Sequence, residues 1–86
     1  MSILRMTRHP ILVPDLDLPG TPIALSAWLA AAGDRVVEGD RVAEILAGPV
    51  TVDLESPATG ILAEQLVAAD DELAVGQTIG IVVSRE

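Results

Sequence analysis

The stretch WLAAAGDRVVEGDRVAEI, Trp28 to Ile45, returns in altered form as QLVAADDELAVGQTIGIV, Gln65 to Val82. Leu29 aligns with Leu66, Asp34 with Asp71, Val36 with Leu73, Gly39 with Gly76 and Val42 with Ile79, all at one spacing of 37 residues. A fixed spacing of this kind is an internal repeat, and two copies are expected to adopt one conformation. That expectation decides the fold. On propensity alone IALSAWLAAAG, Ile23 to Gly33, reads as a helix closed by Gly33. Its partner in the second copy contains an acidic turn and ends in β-branched residues, which makes a poor helix. Both copies therefore read as strand, tight turn, strand, turn, strand.

The remaining runs are short, apolar and bounded by Gly, Pro and Asp, as in an all-β domain. VTVDLE, Val50 to Glu55, alternates with Val50, Val52 and Leu54 on one face and Thr51, Asp53 and Glu55 on the other, a strand with one wet side. Asp34 and Asp71 are expected to hydrogen-bond their own turns, and Gly39 and Gly76 to supply a positive φ before the next strand. None of the four is assigned a ligand role. Two such halves related by a pseudo-twofold axis imply two small antiparallel sheets packed face to face, each drawing strands from both halves.

Half of the residues are apolar, yet Phe and Tyr are absent and Trp28 is the single aromatic, so the core is expected to be aliphatic. The chain has no cysteine, which excludes disulfides and thiolate metal sites and favours a cytoplasmic location. A net charge of −8 argues against nucleic acid and anionic membrane surfaces as partners. All five basic residues are arginines, so the chain contains no lysine. Met1 to Pro10 lacks the apolar core of a signal peptide, and no window approaches a membrane span. Residues 1–10 are expected to form a flexible tail and residues 11–86 a single domain.

These segments carry a resemblance. LVPDL near the start, SAWLAAAGDRVVEGDRVAEIL, VDLESPATGIL and VGQTIGIV are similar to the lipoyl domains of 2-oxo acid dehydrogenase complexes and, more distantly, to biotinyl carrier domains. The resemblance covers Ile11 to Val83. It implies a flattened barrel-sandwich hybrid of two four-stranded antiparallel sheets with internal pseudo-twofold symmetry. It further implies a carrier, in which a lysine at the tip of an exposed hairpin holds the cofactor and the protein presents it to other active sites. Counting back from Ser56, Pro57 and Gly60, the family's Asp-Lys-Ala tip falls on Gly48, Pro49 and Val50. The lysine position is thus held by proline, which has no side-chain nucleophile. The Met-Lys-Met tip of a biotinyl domain is missing at the same residue.

The reading that results is a non-catalytic lipoyl-like interaction module without lipoyl or biotinyl cofactor, docking to a 2-oxo acid dehydrogenase or acyltransferase subunit. An acyl-carrier accessory and a structural barrel-sandwich assembly module are the alternatives. Gly48-Pro49 is expected to be a tight turn, either type II′ with Gly48 first or one with Pro49 at its second position, because proline is disfavoured at the third position of a type I turn. Other candidates are weaker. His9 is the only histidine and is expected to be inert. Asp15 and Asp17 fall short of the six to eight oxygens that calcium takes. Asp70, Asp71 and Glu72 read as a solvated turn, and Trp28 as a packing residue. No catalytic residue and no metal site are assigned. If stability rests on apolar burial alone, chelators and reductants should leave the melting temperature unchanged, and a fall with a chelator would reveal a metal site.

Overall fold

The computed structural model describes residues 5–85, which fold into eight strands and no helix. They are β1 (Met6–Leu12), β2 (Ile23–Trp28), β3 (Arg35–Val36), β4 (Arg41–Ala47), β5 (Val50–Glu55), β6 (Gly60–Gln65), β7 (Glu72–Leu73) and β8 (Thr78–Arg85). Two four-stranded antiparallel sheets result, sheet A in the order β1-β8-β6-β3 and sheet B in the order β5-β4-β2-β7. They are open sheets packed on each other, not a closed barrel. IALSAW is strand β2, as the repeat required and helix propensity did not.

The repeat extends to single hydrogen bonds. Moving along by its spacing carries β2, β3 and β4 onto β6, β7 and β8, and the order of sheet B then becomes that of sheet A with β5 in the place of β1. Asp34 Oδ2 accepts from Ala31 N at 2.9 Å, and Asp71 Oδ2 accepts from Ala68 N at 2.8 Å. Leu29 N donates to Val42 O and Leu66 N to Ile79 O. The bulge between Leu25 and Ala27 in the β2–β4 ladder has its counterpart between Leu62 and Glu64 in the β6–β8 ladder. Gly39 and Gly76 carry the expected positive φ, +92° and +84°. The Gly33 position, at φ +93°, is filled in the second copy by Asp70 at φ +74°, a backbone region that Asp tolerates better than most residues.

Between the sheets lies one aliphatic core, with Leu25, Ile45, Leu62, Ile79, Val42 and Val82 almost wholly removed from solvent. Burial of each such side chain contributes roughly 1.5–3 kcal/mol relative to exposure. The buried polar residue, Ser56, is satisfied because its hydroxyl donates to Ala58 O at 2.7 Å. Trp28 packs against the edge of this core, and its indole Nε1 donates to Val67 O at 2.9 Å. In the second copy Gln65 takes that position, and its Nε2 donates to Ala30 O at 2.8 Å.

The expected tail needs correction over residues 6 to 10. They form most of β1, paired antiparallel with β8 from Met6↔Arg85 to Leu12↔Thr78. The polar sequence TRHP hides a period of two, in which Thr7, His9 and Ile11 turn inward and their neighbours face solvent. The ladder to β8, more than side-chain burial, holds this strand. Residues 1–4 lie outside the described residues.

Gly60 shows how closely β6 and β8 approach. A Cβ there would lie 2.1 Å from Val83 O, a backbone atom that cannot move away without breaking the ladder. Gly60→Ala is therefore expected to cost about 3 kcal/mol or to prevent folding, measured by chemical denaturation. Asp70→Gly, which copies the first half of the repeat, should stay within about 1 kcal/mol of the parent.

Candidate functional site at the hairpin tip

Strands β4 and β5 stay in register to Ala47↔Val50, which leaves Gly48 and Pro49 as a two-residue loop. Gly48 has φ +58°, and the proline ring fixes its own φ near −65°. A positive φ followed by a negative one is the sign pattern of a type II′ turn, whose twist suits the right-handed strands it joins. Of the two turns open to the sequence, this is the one with Gly48 first.

A second segment braces the tip. Gly48 N points to Pro22 O at 3.4 Å, and a Cβ on Gly48 would lie 3.1 Å from Thr21 Cγ2. The segment from Asp15 to Thr21 is itself folded tightly. Asp17 has φ +57°, its N–H donates to Asp15 Oδ1 at 2.8 Å, and Thr21 N donates to Leu18 O at 3.1 Å. Between this segment, Ala47 at the end of β4 and Leu73 to Val75 lies a recess of about 320 Å3. Leu18, Val50 and Val75 stand exposed. The tip end is thus apolar with an acidic rim from Asp15 and Asp17.

The chemistry that the loop can supply is limited by its residues. Gly48, Pro49 and Val50 offer no amine, thiol, hydroxyl or carboxylate for covalent attachment, and the lysine-free sequence offers no side-chain amine elsewhere. Asp34 and Asp71 are occupied in their turns, as their sequence pattern indicated. Asp15 serves the Asp17 turn. His9 lies on β1, where its Nε2 is 2.8 Å from Ser84 Oγ, so it belongs to the β1–β8 pairing and does not approach the tip. The segment bracing the tip had a sequence signal in its Pro, Gly and Asp content, but nothing in that content tells where the segment packs.

Comparison with known proteins agrees with this architecture. Residues 10–82 match the biotin/lipoyl family described as biotin-requiring enzyme. The chain is 31% identical over 78 residues to the dihydrolipoyllysine-residue acetyltransferase component of the acetoin cleaving system of Pseudomonas putida, covering 91% of this chain and 21% of that protein. It is 34% identical over 70 residues to the dihydrolipoyllysine-residue succinyltransferase component of the 2-oxoglutarate dehydrogenase complex of Staphylococcus saprophyticus, covering 81% and 16%. A third relative, the pyruvate dehydrogenase E1 component subunit beta of Rhizobium meliloti, is 37% identical over 62 residues, covering 72% and 14%. The chain spans about a fifth or less of the length of these relatives. With eight strands in two sheets, a repeat that relates them and a family match over nearly its whole length, the chain belongs to the biotin/lipoyl domain family.

Proposed function

We propose that this chain is a lipoyl-type domain that works by protein contact and holds neither lipoyl nor biotinyl group. The observation that carries the reading is Pro49 at the apex of the β4–β5 hairpin in a sequence without lysine. A carrier of this family needs a primary amine at that apex, and here the apex is a rigid turn with no reactive atom. The domain itself performs no catalysis. Its partner is a 2-oxo acid dehydrogenase or acyltransferase subunit, since the named relatives are components of such systems. We place it in the cytoplasm; no helix among the described residues is long and apolar enough to cross a membrane.

Fold and attachment chemistry can be separated by mass measurement after co-expression with a lipoyl ligase and lipoate. The native chain is expected to keep its unmodified mass. The restoring variant should be Pro49→Lys with Gly48 retained, because Gly48→Asp would put a Cβ at positive φ and against Thr21. Pro49→Lys should cost about 1 kcal/mol or less in stability and should gain one lipoyl group. Lipoylation of the native chain would overturn the reading. Failure of the folded Pro49→Lys chain to accept lipoate would remove the inference that the hairpin is presented as a carrier tip. In affinity capture, the native chain is expected to retain a 2-oxo acid dehydrogenase or acyltransferase subunit.

A further inference from the structure

The outer face of sheet A carries a side-chain pattern that the fold does not require. Arg8 pairs with Val83, Val83 with Ile61, and Ile61 with Arg35, so one row crosses all four strands. Residues directly opposite in antiparallel pairs share a face, and the row therefore reads Arg, Val, Ile, Arg on one surface. One step nearer the chain ends, Met6 pairs with Arg85 on the same face. Met6, Arg35, Thr59, Ile61, Val83 and Arg85 line a groove of about 420 Å3. Gly60 also lines it, between Thr59 and Ile61.

The pseudo-twofold gives an internal control. The equivalent row of sheet B is Thr51, Leu46, Ala24 and Glu72, and the equivalents of Met6 and Arg85 are Pro49 and Gly48. Two surfaces built on one backbone plan thus differ in sign. In a chain with five arginines and a net charge of −8, three of the arginines stand on this one face. The ion pairs among the described residues are Arg8–Glu64 and Arg41–Asp53, so Arg35 and Arg85 meet no carboxylate there. Guanidinium groups on either side of exposed aliphatic side chains match carboxylates that flank an aliphatic residue.

We propose that the groove formed by Met6, Arg35, Ile61, Val83 and Arg85 docks an extended acidic segment of a partner protein. The segment would place an aliphatic side chain on Ile61 and Val83 and a carboxylate on each of Arg35 and Arg85. Arg85 stands two strand spacings across and two residues along the sheet from Arg35, roughly 12 Å, which an extended segment spans with acids four residues apart and the aliphatic residue midway on the same face. This deepens the docking reading above and rests on its premise that the chain works through protein contact. It does not depend on the chemistry of the tip.

The test is an NMR titration of the full chain with a synthetic Glu-Ser-Leu-Ser-Glu peptide, blocked at both ends, and with its Gln-Ser-Leu-Ser-Gln control. Amide shifts are expected at Arg35, Thr59 to Ile61 and Val83 to Arg85. Affinity should fall about tenfold in the Arg35→Gln/Arg85→Gln variant, stay unchanged in Arg41→Gln, and weaken between about 50 and about 300 mM salt. Equal binding of the glutamine peptide, shifts at the hairpin tip instead of the groove, or full affinity in the double variant would each overturn the proposal. Concentration-dependent shifts at the same amides without peptide would assign the groove to a second copy and overturn it as well. No native partner enters the titration, so its failure leaves the lipoylation and capture experiments to judge the broader reading independently.

Discussion

Everything in this fold depends on an exchange of backbone hydrogen bonds between the two halves of the repeat. The turn of the first half donates from Gly33 N to Leu62 O, and Asp34 O accepts from Leu62 N. The turn of the second half does the same with Leu25, through Asp70 N and Asp71 O. Each turn is thus closed by the bulged strand of the other half. The short strands follow the same logic, since β3 completes sheet A beside β6 and β7 completes sheet B beside β2. Neither half can satisfy its own backbone alone, and a buried unpaired peptide group costs as much as a lost hydrogen bond. The chain is therefore committed to both sheets at once, and its small aliphatic core is enclosed by that commitment.

This exchange also explains what could be read in advance. The repeat was legible because turn chemistry admits few residues: the aspartates that cap the Ala31 and Ala68 amides and the glycines at positive φ recur at one spacing. Once both copies had to share a conformation, Ile23–Trp28 became a strand and the alanines after it the approach to the Gly33 turn. The first strand was not legible from its own residues, because Thr7, Arg8 and His9 are held by pairing to β8 and contribute little apolar surface. Symmetry contained the missing clue, for β8 requires an edge partner as β4 requires β5.

The candidate site divides in the same way. Gly48 and Pro49 announced a turn, and local geometry alone selects its type, since glycine can supply the positive φ and proline cannot. That Thr21 and Pro22 brace the turn is a tertiary fact, and the sequence between Pro14 and Pro22 gives only loop chemistry. The arginine row is tertiary too. Arg8, Arg35 and Arg85 are far apart in the chain and meet only through the registers of three separate ladders.

A carrier domain has two separable duties: to hold a reactive group at an apex and to be recognised by what acts on that group. The first needs one amine. The second needs a shaped surface, which costs the fold nothing to keep when the amine is gone, because no core contact and no ladder bond depends on the side chain at position 49. In this chain the apex bears no side-chain amine, while the surface related to it by the pseudo-twofold bears cations around exposed aliphatic side chains in an otherwise acidic molecule. Exposed guanidinium groups contribute little to stability. Their grouping on one face, against the symmetry of the backbone beneath them, is thus more readily understood through contact with another molecule than through folding.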